Sequence, residues 1–255
     1  MTWIINRSAT IAFSTGIGNS SLVTRRIRDY NDVQQAVYDV YGANSIIART
    51  MPGRPRITNP DIQTILNTIS KRIYAYFNGK PNTVHNQVNF DNFHNELCDY
   101  FKNQYNTIFA STTTQAIEYG ISQKLINIVF KYLACYSDYI DFADLFSYCH
   151  IPIDSIILYL LAKKYHISSI KSSRSVSAKT GKVSYSAKYR GKAWSKLTYD
   201  LYVDLVNNYR QMIFDIQSHC WLAVDFYCWS WNGVGDAPEL PAAGTPVTHI
   251  SRFYK

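Results

Sequence analysis

The sequence lacks several features that mark specialised classes of protein. Its five cysteines include no C-x-x-C pair, and both their odd number and their spacing argue against a disulfide framework and a zinc site. No apolar run approaches the roughly 20 residues of a membrane-spanning helix, and the first residues lack the uninterrupted apolar core of a signal peptide. We expect a cytoplasmic protein with no metal or other cofactor, no membrane contact and no obligate protein partner.

Strand patterns are also scarce, and they are confined to residues 10–16 and 221–231. Apolar residues make up 47% of the 255 residues, which suits a globular protein with a sizeable core. The predicted helices span residues 30–42, 59–79, 89–105, 120–136, 154–166 and 197–216. We therefore predict one mainly α domain over residues 1–255, with minor β-structure near the chain ends. Two additions to it are a basic loop insertion at 168–196 and a Gly/Pro-rich tail at 232–255.

Acidic residues are absent from residues 167–199, which we call the basic stretch. It holds eight of the 26 Lys and Arg residues, so the rest of the chain carries 18 basic and 18 acidic residues, and the stretch accounts for the whole net charge of +8. Its Ser, Gly and Lys content predicts a long loop or an irregular hairpin. It is either a solvated flexible loop or a contact for the phosphates of nucleic acid. The candidate DNA contacts within it are Lys179, Lys182, Lys188 and Arg190.

Residues 118–133, EYGISQKLINIVFKYL, predict an amphipathic helix that is entered through a tight turn at Gly120. Glycine suits a turn with positive φ, and the first amides of the helix would attract an anion through their geometry and dipole. Lys124 lies at the edge of the apolar stripe, where it is either an ordinary solvated lysine or a functional group. The predicted polar face of this helix comprises Gln123, Asn127 and Lys131.

Residues 150–158, HIPIDSIIL, predict a further helix that begins at Asp154. As a plain helix cap, the Asp154 carboxylate needs no function. The isoleucines beside it would partly desolvate it, and a carboxylate held in this way can also serve as a base or as an electrostatic stabiliser. The adjoining His150 is a further candidate, although a structural role is the simpler interpretation because the six histidines show no metal-ligand spacing.

Together the two segments resemble the helix-hairpin-helix DNA glycosylase superfamily, in particular its 8-oxoguanine glycosylase branch. Members carry a G-[VI]-G-x-K hairpin followed by an apolar helix, and then a V-P-V-D segment whose aspartate begins another helix. Here GISQK aligns Lys124 with the lysine that the family uses as an amine nucleophile, and IPID aligns Asp154 with its essential aspartate. Ser122 stands where the family has its second hairpin glycine.

The resemblance implies a helical glycosylase-like fold and a DNA glycosylase that excises a modified or damaged base, in repair or in defence against modified phage DNA. Lys124 would attack C1′ of the deoxyribose and form a Schiff base that permits strand nicking, while Asp154 would stabilise the positive charge on the sugar. The target base would be flipped out of double-stranded DNA. The hairpin residues Gly120, Ser122 and Gln123 would contact the DNA backbone.

Two other classes of function fit the same sequence. A nucleic-acid-binding or defence protein without catalysis would need the basic stretch but not Lys124 or Asp154. A helical scaffold that binds another protein would need none of these features, and its binding would be insensitive to salt.

Overall fold

The chain folds as a mainly helical protein with one small antiparallel sheet, as the sequence predicts. The computed structural model describes residues 10, 13–15, 17–43, 51, 53–78, 86–110, 115–136, 143–164, 166–180, 183–214, 222 and 225–226. The helices are α1 (Tyr30–Gly42), α2 (Pro60–Phe77), α3 (Gln87–Phe109), α4 (Tyr119–Leu133), α5 (Ala143–Phe146), α6 (Ser155–Lys164) and α7 (Tyr199–Phe214). Within these described ranges, no helix is both long and apolar enough to span a membrane.

The first two helices begin at polar residues whose side chains replace the missing hydrogen-bond partners of the first turn. Asp29 accepts from the amides of Asn31 and Asp32 at α1, where Asp32 completes a capping box. Asn59 caps α2 ahead of Pro60, whose ring fixes a helical φ and whose missing N–H needs no partner at that position. Local chemistry therefore sets both starts, which is why the sequence predicts them.

Helix α4 lies at the centre of the protein and packs against α1, α3, α7 and the short 3-10 helix Trp194–Lys196. Every residue of α4 except Lys124 is buried. The prediction of a polar outer face is wrong, because Gln123, Asn127 and Lys131 also face the interior, where distant parts of the chain supply their partners. The buried apolar side chains of the helices join in one hydrophobic cluster around α4.

The basic stretch forms the whole of this sheet, so a regular hairpin replaces the predicted loop or irregular hairpin. Strands β1 (Ile170–Val176) and β2 (Val183–Tyr189) pair over seven residues each, and β3 (Lys192–Ala193) adds to the far edge of β2. Both long strands pack against α6. This contact gives a serine-rich and lysine-rich segment the tertiary support that its composition alone does not provide.

The described residues at the chain ends do not form the strands predicted there. The described residues of those segments, which include Phe13 and Phe226, are helical. The Phe13 ring packs edge-on against Tyr132 of α4 and against Phe226. Apolar runs this short fit a buried helical turn as well as a strand, and periodicity cannot separate the two. The predicted tail at 232–255 lies outside the described residues.

Gly120 has a different structural role from the one predicted. It lies inside the first turn of α4 rather than in a turn with positive φ. Its amide donates to the carbonyl of Leu197 at 2.9 Å, and a Cβ atom at this position would lie 1.9 Å from the carbonyl oxygen of Trp194. Glycine is required here because the Trp194–Leu197 backbone crosses directly over the helix.

We expect Gly120→Ala to lower the free energy of unfolding by about 1 to 3 kcal/mol, because the added methyl group must displace the backbone at Trp194. Urea unfolding measures this loss. Gly42→Ala is the matched control, since a Cβ there meets no atom within 4 Å and should change stability by less than about 0.5 kcal/mol. Equal stability of the two variants would contradict the close approach at Gly120.

Candidate functional site

The side chain of Gln123 fixes the chain segment that leads into α6. Its Nε2 donates to the carbonyl of Ile153 at 2.9 Å, and its Oε1 accepts from the amide of the same residue at 3.1 Å. Asn127, one turn further along α4, donates to Gln123 Oε1 at 3.0 Å. Side-chain amides can satisfy a buried backbone N–H and C=O at once, as a neighbouring strand would. Ile153 is therefore held against α4, and the next residue, Asp154, emerges beside it.

Lys124 and Asp154 form an ion pair at this position. The Lys124 Nζ lies 3.3 Å from Asp154 Oδ2, with side-chain exposures of 13% and 28%. The other carboxylate oxygen, Oδ1, accepts from the amides of Ile156 at 2.8 Å and Ile157 at 3.0 Å, so Asp154 is also the cap of α6. The structure brings together the two residues that the sequence singled out, and the cap fixes the carboxylate that faces the amine.

An aromatic ring completes the surroundings of the lysine. The Lys124 Nζ lies 4.4 Å from the ring centroid of Trp194, which is within the range of a cation–π contact. Trp194 is half-buried and is held over α4 by the close approach at Gly120. Sequence reasoning missed Trp194, because it lies 70 residues from Lys124 and nothing in the basic stretch indicates which residue turns back onto α4.

The predicted hairpin contacts to DNA are not available on this face of the protein. Gly120, Ser122 and Gln123 are all buried. The helix start that was predicted to bind a phosphate is covered by the Trp194–Leu197 backbone. The carbonyl of Leu197 accepts the hydrogen bond of the Gly120 amide, which a phosphate would otherwise accept. These three residues support the site from the interior of the protein, and they do not form an anion-binding surface.

A second Lys–Asp pair lies on the same side of α4. Lys131 is seven residues after Lys124, which places it two turns further along the same face. It is buried, its Nζ lies 2.5 Å from Asp225 Oδ2, and the rings of Phe13 and Phe226 flank it at 4.2 and 4.9 Å. Burial raises the pKa of Asp225, and the positive charge of Lys131 opposes that rise. This pair could not be predicted from the sequence, because its members are 94 residues apart.

His150, the additional candidate, belongs to a buried network and contacts neither Lys124 nor Asp154. Its Nε2 lies 2.7 Å from Asp91 Oδ1, and its Nδ1 lies 2.7 Å from the Tyr202 hydroxyl. Arg210 makes two hydrogen bonds to Asp91, at 2.7 and 2.9 Å. Asn127 donates to the Tyr202 oxygen at 3.2 Å, which connects the network to Gln123.

The charges in this network follow from burial and hydrogen bonding. Burial is the main cause that lowers the pKa of His150, so the imidazole is neutral. Burial alone would raise the pKa of Asp91, but hydrogen bonds from Arg210 and His150 lower it well below its ordinary value. Burial also raises the pKa of Tyr202, which keeps its proton. The Arg210 guanidinium lies 2.9 Å from His150 Nε2, and its positive charge lowers the pKa of His150 further.

A small cavity of about 80 Å³ opens beside this network, between α3 and α7. Its lining includes the charged or ionisable residues Asp91, His94, His150 and Arg210 and the amide of Asn207. In the part of the chain that the structure describes, no group of three or more His, Cys, Asp or Glu side chains is arranged to hold a metal ion.

The basic residues chosen from the sequence have different surroundings. Lys179 and Lys188 are exposed on the hairpin. Arg190 pairs with Asp204 at 2.9 Å, which partly offsets its charge. Lys182 lies outside the described residues.

Comparisons with protein-family models, curated protein sequences and solved structures gave no match.

We expect the free energy of unfolding to fall as the pH drops below about 6.5, because burial lowers the pKa of both His94 and His150. The unfolded chain takes up protons in this range that the folded protein excludes, so acid favours unfolding. His150→Gln should reduce the slope of stability against pH by up to about 1.4 kcal/mol per unit, measured by urea unfolding between pH 5 and 7.5. His166→Asn, at an exposed position, is the control. An identical slope in wild type and His150→Gln would contradict the neutral buried imidazole.

Proposed function

We propose that the protein is a DNA glycosylase that excises a modified or damaged base, with Lys124 as the nucleophile and Asp154 as the group that assists it. The observation that carries this proposal is the 3.3 Å contact between a mostly buried amine and a carboxylate fixed by two backbone amides. An amine and a carboxylate held in one geometry beside an aromatic ring form an arrangement that is typical of catalytic sites. The position of the pair in the GISQK and IPID segments supports the same function.

The reaction requires a nucleophile that attacks C1′ and a carboxylate that stabilises the positive charge on the sugar. Lys124 Nζ, once deprotonated, forms a bond to C1′ while the base leaves with the electron pair of the broken bond and is protonated. Loss of the second amine proton and opening of the C1′–O4′ bond then give an imine between the enzyme and the sugar. Asp154 accepts a proton from the amine and stabilises the positive charge that develops on the deoxyribose.

The surroundings of the pair favour this role over that of a surface ion pair. Because Asp154 is already oriented by its cap, it needs no reorganisation as charge develops on the sugar. The Trp194 ring offers an aromatic surface next to the amine, where a flipped-out nucleotide must enter. The basic stretch supplies cations for the DNA backbone.

A nucleic-acid-binding protein without catalysis is the second candidate. Two observations favour it: the hairpin carries its charge independently of the Lys124 pair, and capping α6 by itself accounts for an aspartate at position 154. Only a measurement of base release separates it from the glycosylase.

We expect Asp154→Asn to reduce base release by at least about 100-fold, because an amide preserves much of the cap but not the charge that stabilises the sugar cation. Lys124→Gln should abolish the base release that depends on attack by the amine, and the variant should still bind DNA. The assay is single-turnover base release from duplexes that carry oxidised guanine, uracil, alkylated bases or hypermodified cytosines.

Asp29→Asn is the matched control, since Asp29 caps α1 through the same kind of carboxylate–amide bonds and, within the described part of the chain, forms no ion pair with a lysine. It should release the base at the wild-type rate. Wild-type release by Asp154→Asn on a substrate that the protein cleaves would contradict the glycosylase and favour a purely structural cap.

A further inference from the structure

The two faces of the β1–β2 hairpin differ in burial and composition. One face, which includes Ile170, Ala187 and Tyr189, is buried at its base against α6, and the Tyr185 ring contacts Tyr159 of that helix at 4.9 Å. The opposite face, which we call the Ser/Lys face, carries six exposed side chains. It comprises Lys171, Ser173, Ser175, Ser184, Ser186 and Lys188.

The pairing register concentrates positive charge on the Ser/Lys face. Lys171 lies directly opposite Lys188 in the ladder, with Ser173 opposite Ser186 and Ser175 opposite Ser184. Like charges at opposed positions destabilise a strand pair, and lysine is depleted in strands. Among the described residues, no acidic side chain forms an ion pair with either lysine. The composition of this face therefore works against hairpin stability, which points to a ligand.

We propose that the Ser/Lys face binds the phosphate backbone of duplex DNA without reading its sequence. This inference rests on the proposed function, because the proposed function makes DNA the partner of this protein. Lysine ammonium groups attract phosphates, and serine hydroxyls donate hydrogen bonds to phosphate oxygens and are small enough to let the strands approach closely. The seven paired residues extend about 23 Å at the usual rise, enough to follow several phosphates.

The same face argues for duplex over single-stranded DNA. Proteins that hold single strands stack the bases on aromatic side chains, and none of the six residues of the Ser/Lys face is aromatic. The aromatic residues Tyr185 and Tyr189 lie on the face that packs against α6. A cationic surface without stacking groups suits the phosphate backbone on the outside of a double helix better than the unstacked bases of a single strand.

The test is the salt dependence of binding, measured by fluorescence anisotropy with an undamaged labelled duplex and with the single strand of the same sequence. Lys171→Ser combined with Lys188→Ser should weaken duplex binding and reduce the slope of log K against log salt by about two, one for each lysine. The matched control is Arg26→Ser combined with Lys71→Ser, which removes the same net charge from exposed positions on other elements. It should leave the slope unchanged.

Ser173→Glu provides a second variant that keeps both lysines, and it should weaken duplex binding by placing a negative charge in the centre of the face. Thermal unfolding confirms that each variant is folded. Equal slopes for wild type and the double lysine variant, an equal loss in the control, or a preference for the single strand would each overturn the assignment while leaving base excision untouched. Failure of the wild-type protein to bind either form of DNA would overturn the proposed function as well.

Discussion

The double hydrogen bond between the Gln123 side chain and the Ile153 backbone is the contact on which the candidate site depends. It joins the first turn of α4 to the segment that leads into α6, across 30 residues of sequence. Because one side-chain amide satisfies both backbone groups of Ile153, the chain enters α6 in a defined direction, and the next side chain, Asp154, meets Lys124. The buried Asn127, Tyr202 and His150, together with the half-buried Asp91, extend this support to α3 and α7.

A second constraint on the site comes from the segment that follows the sheet. The Trp194–Leu197 backbone crosses α4 at Gly120 and carries the Trp194 ring to the lysine, so the amine lies between a carboxylate held by α6 and an aromatic ring held by the sheet connection. Burial of charged and polar groups costs stability unless they are paired. The central helix pairs Gln123, Asn127 and Lys131, and it leaves Lys124 as its one partly exposed residue. A helix with one partly exposed charged residue and an otherwise buried surface can both form the core and present a functional group.

Sequence reasoning succeeded where the cause is local. The starts of α1 and α2 follow from Asp29 and from the Asn59–Pro60 pair, and Asp154 was identified as a cap before its partner was known. It failed where the cause is distant. The polar side chains of α4 have an amphipathic spacing, but their partners come from residues up to 94 positions away. The hairpin has weak strand propensity, and its support from α6 cannot be inferred from its own residues.

The central claim is that the helix core holds one particular amine in position to attack a sugar, rather than merely to stabilise a cap. Borohydride reduction of the protein with a DNA substrate, followed by mass mapping of the digested adduct, tests this claim at the residue itself. We predict a deoxyribose remnant on Lys124 and none on the exposed lysines of the hairpin. A remnant on Lys171, Lys188 or another surface amine, or no adduct with any DNA substrate that the protein cleaves, would contradict it.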